Sequence, residues 1–158
     1  MVIFPPMPQP YKIPRSVLVV IHTPDLQVLL LERADWPGFW QSVTGSLERE
    51  AEPLQETAVR EVREETGLEA GRYRLVDWEI DNRFEIFKQR LPLYAPGVTH
   101  NTEHVFGLTV PAPLAVTLAP REHLRQLWLP WREAAGKCFS WSNRDAILLL
   151  PQKNGVSP

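Results

Sequence analysis

Between Gly45 and Leu68 the chain reads GSLEREAEPLQETAVREVREETGL, and the end of that stretch gathers Arg60, Glu61, Glu64 and Glu65. The spacing predicts a helix from about Pro53 to Thr66. At 3.6 residues per turn the three glutamates span an arc of about 100°, beside an apolar stripe of Ala58, Val59 and Val62. Like charges three or four residues apart destabilise a helix by roughly 0.2–0.5 kcal/mol per pair, so the cluster needs a compensating partner. It is either an ordinary solvated acidic face or a site for a divalent cation. Pro53 and Glu56 suit the first turn, and Gly67 supplies a left-handed stop after Thr66.

Outward from the helix, Ser16–Ile21 and Leu26–Leu31 are continuous β-branched and leucine runs, as expected of strands buried on both faces, with Pro24-Asp25 turning between them. Phe39–Thr44 reads as a short strand leading into the helix. Tyr73–Ile80 and Phe84–Leu91 read as two further strands, Tyr94–Asn101 as a loop around Pro96-Gly97, and Val105–Val110 as a strand again. Gln126–Leu129 is a short strand, Pro130–Ala135 a helical turn, and Ser142-Asn143-Arg144-Asp145 a cap for a helix running through Leu149. The order predicts an α/β fold, a mixed sheet between helices. The expected organisation is one domain over 11–150, an extended proline-rich arm over 1–10 and a tail over 151–158.

Composition sets bounds. A chain of 158 residues with 44% hydrophobic content can bury a real core. A net charge of −2 gives no electrostatic footprint for nucleic acid. Arginine makes up 13 of the 17 basic residues, a composition compatible with phosphate binding. The single Cys138 fits a reducing compartment, and with no motif partner it reads as an incidental thiol rather than a nucleophile. The absence of a leader-like or long apolar segment makes a cytoplasmic location, away from membranes, the expectation.

Residues 45–68 resemble the Nudix box, whose pattern is Gly, five residues, Glu, seven residues, then Arg-Glu-apolar-x-Glu-Glu-x-Gly-apolar. Arg60-Glu61-Val62-Arg63-Glu64-Glu65-Thr66-Gly67-Leu68 matches every fixed position, and Glu52 stands at the right interval before Arg60. One departure exists: six residues separate Gly45 from Glu52, so the loop into the helix is expected to be one residue longer. Further segments resemble the Nudix subgroup that acts on a dihydroneopterin triphosphate in bacterial folate synthesis. These are Phe39–Ser46, Phe84-Glu85-Ile86-Phe87, Tyr94–Thr99, Asn101-Thr102-Glu103 and Ser140-Trp141-Ser142-Asn143-Arg144.

The resemblance implies the α/β/α Nudix fold and hydrolysis of 7,8-dihydroneopterin 3′-triphosphate to the monophosphate and pyrophosphate. It also implies Mg²⁺, with Mn²⁺ as an alternative, because hard cations take carboxylate and phosphate oxygens. Glu61 and Glu65 are implied as metal ligands, with Glu64 a further ligand or a supporting group. Arg60 is expected to pair with Glu52, and Glu122 to serve as base or added ligand, with Glu103 in reserve. His123 is expected to be exposed. Lys12, Arg33, Thr44, Glu85 and Ser140 sit where such enzymes contact substrate, and Trp40, Phe84, Ile86 and Phe87 offer apolar surface to a heterocycle. A nucleoside-triphosphate pyrophosphatase and a non-catalytic nucleotide sensor are the competing readings; a sensor typically loses box glutamates, and all are present here. The partner is a small-molecule triphosphate, and the oligomeric state is left open.

Overall fold

The computed structural model describes residues 10–154. The proline-rich arm therefore lies, but for Pro10, outside the described residues, as does the end of the C-terminal tail. A seven-stranded mixed sheet forms the centre. Its strands are β1 (Arg15–His22), β2 (Gln27–Arg33), β3 (Trp40–Gln41), β4 (Val43–Ser46), β5 (Arg74–Glu85), β6 (His100–Thr109) and β7 (His123–Pro130). The main path runs β3-β2-β1-β6-β5, with β4 on β1 and β7 on β2. β1 pairs parallel with β6 along its whole length; its other edge is shared by β4, from Ser16 to Val19, and by β2 at His22. That sharing splays β4 from β2 and opens a cleft at the start of β1.

Successive residues of β1 face opposite sides, and each side has its own core. Val17, Val19 and Ile21 join Ala58 and Val62 of helix α1 (Leu54–Thr66). Leu18 and Val20 join Ala134, Ala135, Ala146 and Ile147 of α2 (Trp131–Lys137) and α3 (Trp141–Leu148). A short α4 (Leu150–Lys153) continues into the segment expected to be a tail. Helices thus cover both faces of the sheet, the sandwich the sequence predicts.

Three local expectations are corrected. The two strands expected at Tyr73–Ile80 and Phe84–Leu91 are one strand, β5, and Lys88–Leu93 forms 3₁₀ turns. The polar run Asp81-Asn82-Arg83 does not break β5, because β6 pairs with it residue by residue on one side. A bulge between Asp77 and Ile80, with Glu79 at φ 57°, carries Trp78 over Gly107, where a Cβ would come within 2.6 Å of the indole. Phe39–Thr44 is interrupted at Ser42, whose N–H donates to Asn143 Oδ1 at 2.8 Å while its Oγ accepts from Asn143 Nδ2 at 2.9 Å. The cap of α3 is Ser140, accepting the Asn143 N–H at 3.1 Å, and not the Ser142–Asp145 cluster.

Candidate active site

Helix α1 begins with Pro53 in extended geometry and ends on Gly67 at φ 75°, whose N–H donates to Arg63 O. One face of it holds Glu61 and Glu65, both buried. Arg60 organises the approach to this face. Its Nε and Nη2 donate to the two Glu52 oxygens at 3.1 and 3.0 Å, a bidentate pair, and Nη2 also reaches Ser46 O at 3.1 Å. Its Nη1 donates to Glu61 at 2.8 Å and to Glu64 at 3.4 Å. The Arg60 guanidinium holds the Glu52 carboxyl down at about 2. Glu52 in turn accepts the Glu48 N–H at 2.9 Å, which closes the turn before the helix. Gly45 lies hard against the helix: a Cβ there would overlap the Glu61 carboxyl.

Burial raises the proton affinity of Glu61, against the opposing pull of Glu65 and Arg60. Glu65 is raised well above the usual range, by burial first and then by the charge of Glu61. Its Oε2 has no hydrogen-bond partner among the described residues. Ligand atoms of Glu65, Glu122 and His123 lie within 4.8 Å of one another. His123 is not exposed, contrary to expectation. It is 4% exposed, its Nε2 is 3.3 Å from Glu65 Oε1, and burial lowers its pKa to about 4, so it stands there as a neutral imidazole. Its position as the first residue of β7, opposite Arg33 in the sheet, explains why; only the strand's early start concealed it. These groups fit a divalent cation: convergent oxygen donors, a buried carboxylate oxygen without a partner, and carboxyls whose mutual repulsion a cation relieves. Glu64 is exposed and held by Arg60, so it stands at the margin of the cluster.

The cleft over these residues has a volume of about 1010 Å³. Its lining includes the expected Lys12, Arg33, Thr44, Phe84, Glu85, Ile86, Phe87 and Ser140, with Arg60, Glu61, Glu65 and Glu122. Trp40 is the exception. It is buried in the α2–α3 core, its ring under Arg125 and Lys137 at 5.4 Å each, and does not line the cleft. Its place on a strand leading to the site suggested a contact, but its face of that strand is the core face. Arg33 is not a free cation: Nη2 and Nε donate to Asp35 at 2.6 and 2.8 Å, and Arg90 reaches the same carboxylate at 3.1 Å. Cys138 is half-buried, and burial pushes its thiol up to about 12, which removes it as a nucleophile. No helix among the described residues is long and apolar enough to cross a membrane.

Known proteins resemble this chain closely. A model of the NUDIX domain matches residues 12–150. The dihydroneopterin triphosphate diphosphatase of Escherichia coli K12 is 46% identical over 140 residues, covering 87% of this chain and 91% of the relative. The enzyme of the same name from Haemophilus influenzae is 41% identical over 140 residues, covering 87% of each. The solved structure of the E. coli dihydroneopterin triphosphate pyrophosphohydrolase superposes with a TM-score of 0.81 at 45% identity, covering 88% of this chain and 95% of that one.

Proposed function

The chain belongs to the NUDIX family, and on that premise we propose that it hydrolyses 7,8-dihydroneopterin 3′-triphosphate to the monophosphate and pyrophosphate, with Mg²⁺ or Mn²⁺, as a cytoplasmic step in folate synthesis. The substrate follows from the activity named for its two relatives at 46% and 41% identity. The observation that carries the hydrolytic chemistry is the convergence of Glu65, Glu122 and His123, with Glu61 beside Glu65, on a cleft large enough for a heterocycle and three phosphates.

Charge supports a metal-dependent reading. The cleft lining holds six Lys and Arg side chains against seven Asp and Glu. Side-chain charge therefore offers a polyanion no large positive excess, and a cation would supply one. Glu61, Glu65 and Glu122 would hold the ion, with neutral His123 beside them and Glu64 supporting. A divalent ion there neutralises phosphate charge and polarises both the phosphoryl group and water.

The remaining work falls to the chain's own residues. Arg60 ties Glu61 and the Glu52 turn into one unit, so the carboxylate donors are fixed before substrate arrives. Glu122 is exposed, while its backbone is pinned by Ala34 N–H donating to its carbonyl at 2.8 Å. Its carboxylate accepts the proton of the attacking water. Lys12 and Arg33 meet the phosphate oxygens, and Arg33 exchanges Asp35 for phosphate as it does so. Phe84, Ile86 and Phe87 flank the ring. No protein nucleophile takes part, so no covalent intermediate forms. Comparing kcat/KM for dihydroneopterin triphosphate with a panel of dNTPs tests the reading; a preference for the pterin supports it, and a preference for any dNTP makes the protein a nucleotide pyrophosphatase.

A further inference from the structure

Two acceptors without donors lie on one face of β6. Asn101 and Glu103 are two residues apart in the strand, so both project to the side that α3 covers. Both line the cleft, and they are only 4% and 6% exposed. Asn101 Nδ2 donates to Ser16 Oγ at 2.8 Å, but among the described residues Asn101 Oδ1 has no partner, and neither has Glu103 Oε1. The cross-strand neighbours of Glu103 are Ser16 and Asn82, and Ser142 bonds it from α3; none is a cation. A buried acceptor left unpaired costs stability, and more if charged, so fold stability alone does not account for two of them on one cleft-facing surface.

We propose that Asn101 and Glu103 read the donor edge of the substrate's ring, the 2-amino group and adjacent N–H of a 2-amino-4-oxopyrimidine. This rests on the pterin reading above and specifies how the ring is recognised. The edge presents N–H hydrogens only, and the carboxylate and amide oxygens supply acceptors only. Phe84 and Ile86, on the same cleft, supply the apolar flank a planar ring needs. Burial raises Glu103 to about 7, and a donor edge is the partner that favours its carboxylate form. A ring bearing a 2-oxo group puts an acceptor against these acceptors and is rejected. Sites built around a hydrogen-bonding group discriminate in this way far more sharply than apolar pockets do.

The test uses ring ligands that are not hydrolysed. Dissociation constants of neopterin and of its 2-oxo counterpart are measured by fluorescence titration against the wild-type protein, Glu103→Gln and Asn101→Ala, with thermal unfolding showing which variants are folded. The wild type should prefer neopterin by at least about 10²-fold, and each folded variant should shrink that ratio, Glu103→Gln to below about tenfold. Equal binding of the two ligands by the wild type, or an undiminished ratio in the folded variants, overturns the proposal. Pyrophosphate release from dihydroneopterin triphosphate is scored separately. A protein that discriminates the rings but releases no pyrophosphate keeps this assignment and loses the proposed reaction; one that releases pyrophosphate without discriminating does the reverse.

Discussion

Gly45 and the Glu61 carboxyl occupy adjoining space with no room for a side chain between them: a Cβ at Gly45 would overlap all three carboxyl atoms. Strand β4 thereby passes against helix α1 at the point where Glu61, the proposed metal ligand, lines the cleft. The contact depends on glycine's missing side chain and not on an unusual φ.

Gly45→Ala should therefore push Glu61 out of place. The expected result is a fall in kcat/KM of at least about tenfold and a higher Mg²⁺ requirement, since small displacements of positioned groups are expensive in catalysis. Wild-type Mg²⁺ dependence in the alanine variant would show that Glu61 has slack the structure does not.

Glu65 is buried beside Glu61 with an unpaired oxygen. Ion binding to the folded state raises the unfolding temperature by mass action. Adding Mg²⁺ at neutral pH should raise Tm in the wild type, and Glu65→Gln should abolish most of that rise and lower kcat/KM by at least about 10²-fold. A full Mg²⁺-induced shift in Glu65→Gln would move the ion elsewhere.

Glu122 differs from these in being exposed to water. As a base it acts on the chemical step, so Glu122→Gln should lower kcat more than it raises KM. A variant altered in KM alone would make Glu122 a binding residue.

Glu103 links the site to stability. Burial raises its pKa from the ordinary 4.5 to about 7 in the folded state. A raised carboxyl contributes stability that is fully present below about pH 4.5 and is lost as pH climbs through 7. In chelator, the stability of wild type relative to Glu103→Gln should fall by roughly 3 kcal/mol between pH 4.5 and pH 8, as measured by denaturant unfolding. A pH-independent difference would mean that Glu103 keeps an ordinary affinity for its proton.

The parts of this molecule legible in the sequence are those set by local spacing. The carboxylates of α1 and its Gly67 stop follow from intervals within one helix, whereas the Arg60–Glu52 pair is what the Nudix resemblance implies. The apolar runs of β1 and β2 likewise announced strands buried on both faces. What escaped depended on partners distant in sequence. β5 looked broken at Asp81-Asn82-Arg83 because its pairing comes wholly from β6. His123 looked like a surface residue until β7 placed it beside Glu65. Trp40, expected against substrate, belongs to the core, whereas Ser140 does line the cleft and also caps α3. For Asn101 and Glu103 a signal existed, two polar residues two apart at the head of a strand that then turns apolar.

On the proposed reading this cleft directs water to a pterin triphosphate so that a single cleavage releases pyrophosphate. The direct test is to incubate the protein with dihydroneopterin triphosphate and Mg²⁺ in ¹⁸O-labelled water, and to identify the first products by mass spectrometry. Dihydroneopterin monophosphate and pyrophosphate are expected from the earliest time point, with one ¹⁸O per turnover in one of the two, and which of them carries it reports the phosphorus attacked. Orthophosphate as the first product would contradict that reading.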